Sequence, residues 1–164
     1  MEDPEQQIYE SNISEVLNHW PTLESPVNYR SPRNVVALIN ELNLTKDPVE
    51  FGSNVLGFDF RVYEYDESSL REQTFKALTE CNKRGFSQEN MVLLTFKGAN
   101  SSKFFCDDSY FSSGKIILER YTGVNPKNDE PEFSEGTCRL ETLFRFKGQA
   151  ADAIVITEMD FVEN

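Results

Sequence analysis

The sequence predicts a layered α/β domain built on a largely parallel sheet. Three observations carry that prediction. Met91-Val92-Leu93-Leu94-Thr95-Phe96 is a continuous apolar run of strand length, the signature of a strand covered on both faces. Ala153-Ile154-Val155-Ile156-Thr157 repeats that character near the C-terminus, as a second buried strand. Segments of helical period, each opened by capping residues, stand among the strand candidates, and parallel strands need such crossovers.

The elements follow in order. Residues 2–26 are acidic and irregular, with a short helical candidate at 14–20. Ser31-Pro32 is a helix start, with Ser capping free N–H groups and Pro at the first helical position. Val35, Ile39 and Leu42, flanked by Val36 and Leu38, then give an apolar face. Residues 47–58 read as a loop. Phe60-Arg61-Val62-Tyr63-Glu64-Tyr65 has the aromatic and β-branched content of a strand. Ser69-Leu70-Arg71-Glu72 is a capping box, and Leu70, Phe75, Leu78 and Cys81 carry a helix to Gly85. A short helix starts at Ser101-Ser102, residues 115–120 and 138–144 are further strands, and the polar stretch 122–135 between them is a hairpin or loop.

Composition narrows the class. A chain of 164 residues supports one domain with its own core. The aromatic share of 12%, mostly 13 Phe and 6 Tyr, favours a core containing strands. No apolar run approaches the roughly 20 residues that span a bilayer. The acidic start Met1-Glu2-Asp3 lacks the features of a signal peptide, so a cytoplasmic protein without membrane contact is expected. Cys81, Cys106 and Cys138, odd in number and set in apolar patterns, read as reduced core thiols. His19 is the only histidine and no Cys/His pair has zinc-ligand spacing, so no metal site is expected. A formal charge of −12 argues against general nucleic-acid binding but leaves room for a local basic track. The bases gather at Arg30 and Arg33, at Lys97 and Lys103, and at Arg139, Arg145 and Lys147.

Three stretches occur in an order that points to a family. Asp3-Pro4-Glu5-Gln6-Gln7-Ile8-Tyr9 is followed by Val27-Asn28-Tyr29-Arg30-Ser31-Pro32, which opens a helix. Leu140-Glu141-Thr142-Leu143-Phe144-Arg145-Phe146-Lys147-Gly148-Gln149 then precedes a strand. These resemble motifs III, IV and V of UvrD/Rep-like superfamily 1 DNA helicases, across essentially the whole chain. The resemblance implies a RecA-like second motor domain of a compact type, without the large domain that UvrD and Rep insert between motifs IV and V. On that reading residues 1–26 are a tail with a partial motif III, and 27–164 the motor domain, an excised piece ending before motif VI.

The same resemblance assigns roles. Gln6 would sense the γ-phosphate, Tyr29 would stack on adenine, and Arg30 would reach the γ-phosphate with its planar fork. Gly148 and Gln149 would lie beside the nucleotide. Thr142 would hold a DNA phosphate, with Arg145 taking over a polar contact and Tyr9 near the strand. A weaker match at residues 91–97 adds Thr95, Lys97 and Asn100 as clamps on the DNA backbone. Some positions depart from the family pattern: Glu2 replaces Gly, Phe144 replaces a DNA-contacting His, and Ala150 replaces a ribose-binding Glu.

No Gly-x-x-x-x-Gly-Lys-[Ser/Thr] loop is present to cradle phosphates. ATP with Mg²⁺ would therefore be held by the intact enzyme, jointly with the first motor domain of the same polypeptide. The 164 residues alone would hold no tightly bound cofactor and would be inactive. Single-stranded DNA is the other expected partner. A second reading from a different class is an acidic, non-catalytic interaction module that retains the helicase-domain fold.

Overall fold

A computed structural model describes residues 26–159, which divide between residues 61 and 62 into two compact units. The first contains β1 (Val27–Asn28), α1 (Arg33–Glu41) and β2 (Glu50–Phe51), with β1 and β2 paired in parallel. Asn40 joins helix to strand. Its side-chain amide donates to the Val49 carbonyl at 2.9 Å and its oxygen accepts the Val49 N–H at 2.8 Å, copying a strand neighbour.

The second unit is the α/β body. It contains α2 (Leu70–Lys83), β3 (Met91–Thr95), the short helix α3 (Lys103–Cys106), β4 (Ser112–Ser113) and β5 (Ile116–Glu119). There follow β6 (Tyr121–Val124), β7 (Pro131–Phe133), β8 (Cys138–Thr142), α4 (Leu143–Phe146) and β9 (Ala153–Thr157). Five strands form one sheet in the order β4-β5-β8-β3-β9. The last four run parallel, and β4 is antiparallel to β5. Strands β6 and β7 make a separate antiparallel hairpin on the β5–β8 connection.

Alternation along β3 makes three layers. Met91 and Leu93 face a core with Phe75 and Leu78 of α2, Phe104 of α3, and Leu140 of β8. Val92 and Leu94 point the other way, onto Phe146 of α4. Fully burying each such side chain contributes about 1.5–3 kcal/mol. The predicted strand is therefore found over Met91–Thr95, buried at every position, while Phe96 falls outside it and is 56% exposed.

Several expectations change. Residues 60–65 form no strand; Val62 is 90% exposed, and β-propensity without a paired neighbour makes no ladder. Ala153–Thr157 is a strand, but at the sheet edge, with Ile154 and Ile156 exposed on one face. The 138–144 strand stops at Thr142, because Leu143 begins α4. Ser31 does not cap α1, whose first amides are instead taken by loop carbonyls: Arg33 N–H by Val55 at 2.8 Å and Asn34 N–H by Leu56 at 3.2 Å. The capping box lies one turn earlier than Ser69–Glu72 implies. The Asp66 carboxylate accepts the Ser69 N–H at 2.8 Å while Ser69 Oγ accepts the Asp66 N–H at 2.9 Å.

All three cysteines are free thiols. Cys138 is buried and its thiol is pushed up to about 12 by desolvation, but Cys106 is exposed, against the expectation of a core thiol. The helical candidate at 14–20 lies outside the described residues. Among the described residues no helix is long and apolar enough to cross a membrane.

Candidate functional site

Local chemistry explains the Asn-Tyr-Arg-Ser turn in the first unit. Asn28 Oδ1 accepts the N–H groups of both Arg30 and Ser31, each at 2.9 Å, and Asn28 Nδ2 donates to Ser31 Oγ at 3.3 Å. This Asx turn rotates Tyr29 and Arg30 outward. Tyr29 is 73% exposed, and its ring rests on Gly52, where a Cβ would come within 2.6 Å of the ring. Only glycine permits that approach. The first two α1 amides are already occupied by loop carbonyls.

In the second unit, strand pairing gathers residues far apart in sequence. Thr95 of β3 is in register with Thr142 of β8 on one side and Thr157 of β9 on the other. The three threonines form a row across the C-terminal ends of parallel strands, the edge where open α/β sheets bind ligands. Their hydroxyls are all engaged inside the protein. Thr157 Oγ1 meets Thr74 Oγ1 at 2.7 Å, and Thr142 Oγ1 caps α4 by accepting the Arg145 N–H at 3.3 Å. Thr95 Oγ1 donates to buried Glu158 and accepts the Lys97 N–H at 3.1 Å. Thr95 therefore shapes the loop that carries Lys97 and Asn100, while Asn100 itself is exposed.

A second network, which sequence reading missed, organises the turn after β8. Glu141 is only 1% exposed, and its Oε1 accepts Arg139 Nη2 at 2.9 Å and Nε at 3.3 Å. Arg145 Nε lies 3.4 Å from Glu141 Oε2, in ion-pair range, and its guanidinium sits 3.9 Å from the Tyr121 ring centroid. Gln149 closes the ring: Oε1 accepts Arg139 Nη1 at 2.8 Å, and Nε2 donates to the Arg145 carbonyl at 2.8 Å. A buried carboxylate facing two guanidinium groups is the arrangement a low-dielectric site demands. The only sequence signal was alternation, which puts Glu141 on the same strand face as Arg139, opposite Cys138 and Leu140 of the core.

Gly148 follows with φ +78, a left-handed backbone that the turn requires and that a Cβ would strain. Phe144 is 59% exposed, and Ala150 is exposed too. Strand pairing thus brings Thr95, Lys97, Asn100 and Thr142 to one sheet edge, with Arg145 on α4 directly after it, whereas Gly148 and Gln149 lie on the return to β9, Gln149 against Arg139, which pairs with Val92 toward the other end of β3. Tyr29 and Arg30 belong to the other unit. Gln6 and Tyr9 lie outside the described residues. Among those described, no group of three His, Cys, Asp or Glu side chains could hold a metal ion. No family model, curated protein or solved structure matches the chain.

Proposed function

We propose that the chain is the RecA-like second motor domain of a UvrD-like, ATP-dependent DNA helicase, contributing half of a nucleotide site and part of a single-strand track. The observation that carries this reading is the register of Thr95 with Thr142. It joins two strand ends, 47 positions apart in sequence (142 − 95), at the edge where open parallel sheets bind ligands. The open Tyr29 ring and adjacent Arg30 fit the base and phosphates of an adenine nucleotide. ATP would supply the hydrolysable anhydride and Mg²⁺ charge neutralisation. The chain's own part is to stack the base on Tyr29 and to hold Arg30 against the γ-phosphate as charge shifts there. Lys97, Asn100 and the exposed Phe144 ring suit backbone and base contacts.

The half-site makes a sharp expectation. Millimolar ATP, added to the 164-residue chain, shifts the amide resonances around Tyr29 and Arg30 without turnover, even with single-stranded DNA. In the two-domain enzyme, Arg30→Ala lowers ATP turnover by on the order of 10²–10³-fold. Robust hydrolysis by the isolated chain, or no shift at Tyr29, would sink the reading.

The acidic interaction module remains the second reading. It is favoured by the engagement of Arg145 with Glu141 and Tyr121, which removes one candidate DNA contact. It predicts no response to ATP at all.

A further inference from the structure

At the strand-end edge of the second unit, a cavity of about 360 Å³ is lined by Tyr65, Asp66, Glu67, Leu70, Lys97 and Lys103. The segment from Lys97 to Lys103, the first residue of α3, is pinned by Glu158, which follows β9. Its side chain is buried and its backbone is left-handed, with φ +57. One carboxylate oxygen accepts the Thr95 hydroxyl, and the other accepts the Lys103 backbone N–H at 2.8 Å. A non-glycine residue held this way costs on the order of 1–3 kcal/mol, so the surrounding structure over-determines the loop's shape.

The two acids at the cavity differ. Asp66 is committed to its own turn, accepting from the hydroxyls of Ser68 at 2.8 Å and Ser69 at 2.7 Å. Glu67 reaches across to Lys103, Oε1 to Nζ at 2.8 Å, while its side chain stays 87% exposed. That hydrogen bond, helped by the charges of Lys103 and Lys97, lowers the Glu67 carboxyl below its ordinary value. Glu67 is an exposed anion at a cavity that two lysines line. Exposed pairs of this kind contribute little to stability, so exchanging the partner anion is inexpensive.

We infer that Lys103, beside Lys97, is a contact for a backbone phosphate of single-stranded nucleic acid, and that Glu67 is the internal counter-ion which the phosphate displaces. The inference rests on the single-strand track proposed above and adds a seat with a built-in competitor. In an acidic chain such competition restrains binding to stray polyanions, because an incoming phosphate must outbid a tethered carboxylate.

Fluorescence anisotropy of labelled oligo(dT) with the full chain at low ionic strength tests it. Glu67→Gln should tighten binding several-fold. Lys103→Met should weaken it and reduce the salt slope by about 0.7, the value of one single-strand phosphate contact. In the double variant, Glu67→Gln should have no remaining effect. Glu132→Gln, on the exposed strand β7, makes the same change in net charge and should leave affinity unaltered. If Glu67→Gln acts no differently from Glu132→Gln, or acts equally without Lys103, the seat is wrong while the track survives. If no variant binds oligo(dT) although ATP still perturbs Tyr29, both seat and track fail and the nucleotide half stands.

Discussion

Asp66 shows how one exposed side chain can set the start of a helix. Hydrogen bonds from the Ser69 hydroxyl, then the Ser68 hydroxyl, then the Ser69 amide hold its carboxyl down at about 2. A carboxyl lowered on folding stabilises the fold fully above its unfolded value, and that contribution disappears as pH falls through the folded value. Asp66→Ala should therefore lower the urea midpoint near neutral pH, with the deficit shrinking between pH 3.8 and about 2. A deficit that stays constant across that window would assign the effect to packing instead. At this scale the sequence was partly legible. Asn28, Tyr29 and Arg30 could be read as a turn presenting two side chains, but Ser69–Glu72 was indistinguishable from Asp66–Ser69 as a cap. Both stretches have capping chemistry at the right spacing, and only the chain path decides which turn it closes.

Among the elements, β3 holds the body together, since it pairs with β8 and β9 and serves cores on both faces. Leu93→Ala, at a position with no exposure, should cost about 2–5 kcal/mol in urea unfolding. A loss below 1 kcal/mol would mean that the core relaxes around the deletion. Such a strand is easy to read, because burial on both sides leaves an unbroken apolar run. An edge strand is harder: β9 has a similar composition, yet only its neighbours reveal that Ile154 and Ile156 face outward. Residues 60–65 misled for the converse reason, having strand chemistry without a partner.

For the molecule as a whole, the two units differ in what they bury. The described part of the first encloses a single apolar side chain, Val36, while the second holds the sheet and both hydrophobic cores. Residues 62–164 made alone should thus unfold cooperatively, and 26–61 made alone should not, by circular dichroism in urea. A gradual, featureless loss of signal from 62–164 would contradict this. The candidate site was legible as short motifs, because turns are written in a few residues. The ring linking Glu141, Arg139, Gln149 and Arg145 was not, since its members meet only through the register of β8 and the turn after it. The hairpin β6–β7 has a consequence of another kind. Strands β5 and β8, which it connects, are already parallel neighbours, and its tip is exposed from Pro126 to Glu130 and closed by hydrogen bonds between Asn125 and Glu130 and between Asp129 and Asn125. Each doubling of a flexible loop costs only about 0.6 kcal/mol. A fluorescent protein or an affinity module spliced between Pro126 and Lys127 would therefore ride on the sheet without unmaking it, which turns this chain into a scaffold with a ready port for cargo.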